Sequence, residues 1–158
     1  MPPQTLVDLT GIDLAQIQIP IEEVRIYNAH RFEMEQLDGV IWLDRETKSA
    51  VGVKTVRNDE FWVRGHIPGR PLLPGVVMIE SAGQLCSFVY KACMAPDPKI
   101  FLGFAGVNNV KFRRPVVPGE RLITIARLKE ARRRVVFDTQ GLVDGGIVYE
   151  GEIIGMPV

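Results

Sequence analysis

Gly65-His66-Ile67-Pro68-Gly69-Arg70-Pro71-Leu72-Leu73-Pro74-Gly75 runs directly into the stretch Val76 to Cys93, which holds no proline and a single glycine, Gly83. Three prolines and three glycines within eleven positions exclude a helix and a central strand, so the first part is a shaped loop. In the second part apolar residues cover most of the circumference at helical spacing, which predicts a helix buried on most sides. Ala95-Pro96-Asp97-Pro98 ends it. Outward on both sides the texture is β-branched and aromatic. Val40 to Leu43, Ala50 to Val56 and Phe61 to Val63 precede the helix as strands, and Ile100 to Phe112, Arg121 to Glu130, Arg133 to Val143 and Ile147 to Met156 follow it. Val117-Pro118-Gly119-Glu120 and Asp144-Gly145-Gly146 are the turns. This order predicts an α+β fold in which one long antiparallel sheet wraps around one central buried helix.

Ahead of this core, residues 1–20 form an irregular, loosely packed lead-in with a turn near Asp13-Leu14-Ala15-Gln16, and residues 21–158 form a single domain. After Pro20, the spacing of Ile21, Val24 and Tyr27 predicts a short helix. Hydrophobic residues make up 46% of the 158 and charged residues 24%, enough apolar surface for one core. Lys and Arg total 19, as do Asp and Glu, so no net positive field exists to hold nucleic acid or anionic lipid. The sequence holds no apolar run long enough to span a bilayer, and Met1-Pro2-Pro3-Gln4 lacks the basic start of a secretory signal; a cytoplasmic protein is the expectation. Cys86 and Cys93 would lie about 10 Å apart along a helix, too far for a disulfide, and read as free packing thiols. No cluster of Cys and His at metal-ligand spacing occurs.

The loop and the helix carry two residues suited to proton transfer, His66 and Glu80. A histidine titrates near neutrality and can act as a base. Glu80 interrupts the apolar run Val76-Val77-Met78-Ile79, where desolvation would favour the protonated form and make it a proton donor. Gly75, opening the helix, allows close approach to free backbone N–H groups that favour developing negative charge. The plainer reading of the same three residues is a loop hydrogen-bonder, an ion-paired carboxylate and a glycine that relieves strain. His30 reads as structural, and Arg132-Arg133-Arg134 as a solvated turn and strand start.

Residues 65–80 resemble the G-H-F-P-G-x-P-x-x-P-G-V-x-x-x-E signature of 3-hydroxyacyl-[acyl-carrier-protein] dehydratases, hotdog-fold enzymes of fatty acid synthesis. Ala29-His30-Arg31-Phe32 is similar to that family's P-H-R-Y-P-F segment, and Phe104-Ala105-Gly106-Val107 and Phe112-Arg113-Arg114-Pro115 to its F-A-G-I and F-R-R-P strands. The resemblance covers about residues 21–155. It implies His66 as base, Glu80 as acid, an oxyanion site at Gly75 and Val76, and Gln84 holding the Glu80 carboxyl. It further implies a site shared between two subunits, so that a monomer is inactive, in a homodimer that either stands alone or assembles into a trimer of dimers. The implied substrate is a 3-hydroxyacyl chain on the phosphopantetheine of an acidic acyl carrier protein, with no metal or organic cofactor. Glu rather than Asp at position 80 resembles the branch that dehydrates without isomerising. Phe32 and Met34, in a segment that departs from the family pattern, and Ile67, in place of Phe, would line the acyl tunnel. Arg113 and Arg114 are candidates for carrier docking, although adjacent strand residues face opposite sides. Two other readings stand beside this one: a hotdog thioesterase using Glu80 to activate water, and a non-catalytic acyl-binding protein if residues 32–34 close the tunnel.

Overall fold

A computed structural model describes residues 4–95 and 97–158. The readings of the Met1-Pro2-Pro3 start and of Pro96 as part of the helix stop lie outside the described residues. Seven strands form one antiparallel sheet in the order β1-β2-β3-β5-β6-β7-β4: β1 (Ile19–Pro20), β2 (Gly39–Asp44), β3 (Ser49–Thr55), β4 (Leu102–Phe112), β5 (Arg121–Ala131), β6 (Val135–Val143) and β7 (Gly146–Pro157). The short helix α1 (Ile21–Tyr27) and the central helix α2 (Gly75–Cys93) complete the α+β architecture expected from the sequence.

Helix α2 buries Val77, Met78, Ala82, Leu85, Phe88 and Val89 against the sheet. Gly52 of β3 is what lets it settle so close, since a Cβ there would meet Leu85 Cδ1 at 3.2 Å. Helix α1 packs across it, with Tyr27 edge-on to Phe88 at 5.6 Å between ring centroids. The β6–β7 hairpin turns through Asp144 and Gly145 at φ 49° and 80°, the pair of left-handed residues that matches the twist of two joined strands. Cys86 and Cys93 are both free, and burial raises each thiol above its ordinary range, leaving them protonated packing groups.

Two expectations are corrected. Phe61-Trp62-Val63 is not a strand but a turn, because Trp62 points inward as a single plug, 4% exposed, and no neighbouring chain pairs with it. The lead-in is not loose. Alternation along the strands sends Val40, Ala50 and Leu122 to the helix side and Ile41, Val51 and Ile123 to the other, where Leu6, Val7, Leu9, Ile12 and Leu14 cover them. The Leu6 N–H donates to Gln140 Oε1 at 2.8 Å, and Arg127 donates back to the Leu6 carbonyl. With both faces of β3 covered, its near-continuous apolar run is accounted for. Val7→Asp should therefore cost about 2–3 kcal/mol of stability, read from urea unfolding, because it puts a carboxylate into that covered face.

Candidate active site

Trp62 anchors the loop before α2. Its carbonyl accepts the N–H groups of Gly65 and His66, and Glu60, held by the buried Lys54, accepts the indole N–H at 3.3 Å. From this anchor the chain reaches His66, whose N–H is thereby tied at 2.8 Å to Trp62 O. The His66 imidazole has Nδ1 2.7 Å from the Leu72 carbonyl. A carbonyl oxygen can only accept, so Nδ1 carries the hydrogen and Nε2 of the neutral ring is left with its lone pair.

The same loop delivers the chain to the start of α2 through Pro74, which supplies no side-chain cap. Pro74 O accepts from Val77 and Met78, while the N–H groups of Gly75 and Val76 have no acceptor among the described residues. These two donors, at the positive end of a helix dipole, are suited to an anionic oxygen. His66, Leu73, Gly75, Val76, Met78 and Phe112 line one mostly apolar groove of about 580 Å³, within the range of small-molecule sites. Gly75 is required there by a close approach: a Cβ would lie 2.7 Å from Phe112 Cζ. Because that ring is the free end of a half-exposed side chain, Gly75→Ala should swing it into the groove. We expect the groove to narrow with stability changed by less than about 1 kcal/mol, measured by thermal unfolding.

Glu80 lies one turn beyond Val76 on α2. Its Oε1 accepts from Gln84 Nε2 at 2.9 Å and has His30 Nε2 at 3.7 Å. Gln84 is almost fully buried and every part of its amide is used: Nε2 also donates to Met34 O at 2.6 Å, and Oε1 accepts the Gln36 N–H at 2.8 Å. The Glu80 carboxyl is not desolvated within one chain, its side chain being 30% exposed. Nor is it among the residues lining the His66 groove. The histidine beside Glu80 in the single chain is His30, which sequence spacing did not single out. The signal was the His-Arg pair at 30–31 following a short helix, and it is meaningful only once α1 is seen lying across α2.

Residues 28–152, well over half of the chain, match the FabA-like domain family. The chain belongs to that family. Among solved structures, the FabA-like fold is shared with the ApeI:P dehydratase heterocomplex of Xenorhabdus doucetiae (18% identity, TM-score 0.67, covering 85% of this chain and 90% of that one). It is shared also with a mutant thioesterase of Pseudomonas aeruginosa (20% identity, TM-score 0.60, 76% and 80% covered). A sigma28-regulated virulence protein of Campylobacter jejuni superposes similarly (15% identity, TM-score 0.65, 87% and 89% covered). At these identities the likeness is one of fold.

The remaining sequence candidates fall in two places around the FabA-like core. Arg113 and Arg114 both line the mouth of the groove, a correction to the expectation that strand alternation would separate them: β4 ends at Phe112, so the two lie beyond its pleat. Each is already engaged, Arg113 with Glu150 at 2.8 Å and Arg114 with Glu120 at 3.2 Å. Phe32, Met34 and Ile67 do not line the groove of the single chain. Phe32 instead stands 88% exposed in a turn of 3-10 helix, Phe32–Met34, next to Phe61, so this segment does not plug the groove. Arg132, Arg133 and Arg134 form the exposed turn expected of them, but the strand start falls after them, β6 beginning at Val135. No helix of the described residues is long and apolar enough to cross a membrane.

Proposed function

We propose that this FabA-like chain removes water from a 3-hydroxyacyl thioester. The observation that carries the reading is the groove itself, which places an imidazole with an available Nε2 and two free helix-terminal N–H groups on the same apolar space. His66 takes the proton from C2 of the substrate. The negative charge that develops on the thioester oxygen is met by the Gly75 and Val76 N–H groups, a contribution of about 3 kcal/mol in comparable sites. Glu80 protonates the 3-hydroxyl, which leaves as water, and the product is a trans-2-enoyl thioester. The proton gained by His66 and the one lost by Glu80 are returned through solvent, so the protein ends unchanged, and side chains and backbone suffice without metal or organic cofactor.

The acyl group would enter on the phosphopantetheine arm of an acidic acyl carrier protein, with Arg113 and Arg114, which line the groove, exchanging Glu150 and Glu120 for carboxylates of the carrier on docking. A homodimer would complete the site, since Glu80 lies outside the His66 groove of its own chain. Two features favour a second copy. β4 is an open edge strand with half-exposed Phe104 and Phe112, a surface that soluble proteins cover. Phe104 lies directly over Gly83 of α2, so this edge adjoins the helix stripe of exposed Val76 and half-buried Glu80 and Gly83.

Thioester hydrolysis by Glu80-activated water is the competing reading, favoured by the partial exposure of that carboxyl, but it leaves the oriented imidazole without a task. Incubation with a 3-hydroxyacyl carrier-protein thioester separates the two. Loss of one water from the acyl group by mass spectrometry is the expected result, and release of free thiol without enoyl product would overturn it.

A further inference from the structure

The acid of the proposed site has two oxygens, and they are not equivalent. Oε1 of Glu80 takes the Gln84 amide at 2.9 Å and faces His30 Nε2 at 3.7 Å, whereas Oε2 has no partner among the described residues. His30 is itself held in place, its carbonyl accepting from Arg31 at 2.7 Å. Its Nδ1 is buried without a hydrogen-bond partner, and so is Asn28 Oδ1. Both residues line one small cavity with Gln84, of about 10 Å³, room for roughly one water molecule. If Nδ1 is an acceptor, one water donating both hydrogens satisfies the two buried atoms together, and the ring hydrogen must then sit on Nε2, on the side of Glu80. Charges around the ring support that polarity. Arg25 and Glu35 also line the cavity but neutralise each other through a bidentate pair at 2.7 and 2.8 Å, and Arg31 is turned to the His30 carbonyl, so the acceptor facing His30 Nε2 is Glu80 Oε1.

Resting on the dehydratase reading above, we propose that His30 is a positioning residue for Glu80: with Gln84 it holds Oε1, so that Oε2 is the oxygen presented to the substrate. The 3.7 Å separation is an electrostatic contact rather than a hydrogen bond, suited to orienting a carboxyl without taking its proton. His30 touches no groove residue's chemistry directly, and its removal should act on the catalytic step and leave substrate binding nearly unchanged.

The test uses the full-length protein on a 3-hydroxyacyl carrier-protein substrate. His30→Phe and His30→Ala should each lower kcat by about ten- to a hundredfold with KM within about twofold of wild type. His30→Gln, which offers an N–H at the reach of Nε2, should stay within about threefold of wild-type kcat. Unchanged kcat in the Phe and Ala variants, or equal losses in all three, overturns the proposal. A second measurement does not depend on turnover. Nitrogen-15 spectra of the histidine side chains should show His30 with its hydrogen on Nε2 and should change at that ring in Glu80→Gln; a hydrogen on Nδ1, or no response to Glu80→Gln, is equally fatal. Should wild-type protein fail to dehydrate the substrate, the proposed function falls, while the spectra still decide the role of His30.

Discussion

His66→Ala is expected to lower kcat for dehydration by about a thousandfold or more, while the protein unfolds within a few degrees of wild type. The two halves of this expectation have separate causes. The imidazole lies on an exposed loop and makes one side-chain hydrogen bond, to Leu72 O, so its removal opens no cavity in the core. The C2 proton, by contrast, is only weakly acidic, and without a base on the groove wall the Gly75 and Val76 donors would have no developing charge to stabilise. Enoyl formation followed by mass spectrometry measures the first half and calorimetry the second. A variant with near-normal turnover and a lowered melting temperature would mean that His66 is a loop hydrogen-bonder after all.

Glu80→Gln is expected to lower kcat by a similar factor, because an amide of nearly the same shape can keep its contact with Gln84 yet cannot give up a proton to the leaving hydroxyl. The informative experiment is to mix the two inactive proteins. If His66 of one chain works with Glu80 of another, random exchange makes about half of the dimers mixed, and each mixed dimer regenerates one of its two sites. Roughly a quarter of wild-type turnover should return. No recovery, with subunit exchange shown by a mass-tagged chain, would refute a shared site and leave the unlined distance between the groove and Glu80 to be explained within one chain.

Much of the architecture was legible because its signals are local. The loop at 65–75 reads from its prolines and glycines, the central helix from a long proline-free stretch with apolar residues over most of its circumference, and the Asp144-Gly145 turn from residues that tolerate positive φ. The misread segments fail for a common reason. Phe61-Trp62-Val63 has strand composition but no partner chain beside it, and strand formation is a property of pairing, not of composition alone. Likewise the lead-in shows no period, since it packs as an irregular strap whose apolar residues are matched to an outer sheet face formed by strands far along the chain.

Candidate chemistry divides along the same line. His66, Gly75, Glu80 and Gln84 lie within one loop and nearly three helical turns, so the sequence and its family resemblance together could nominate them, and helical spacing puts the Gln84 amide beside the Glu80 carboxyl. Only tertiary structure could show that His30, fifty residues before Glu80 in the chain, stands against that carboxyl, or that Phe112 closes over Gly75. Spacing along a backbone fixes neighbours a few residues apart through helix and turn geometry, whereas contacts between distant segments depend on how the sheet brings α1, α2 and the end of β4 to one place, and no local pattern encodes that.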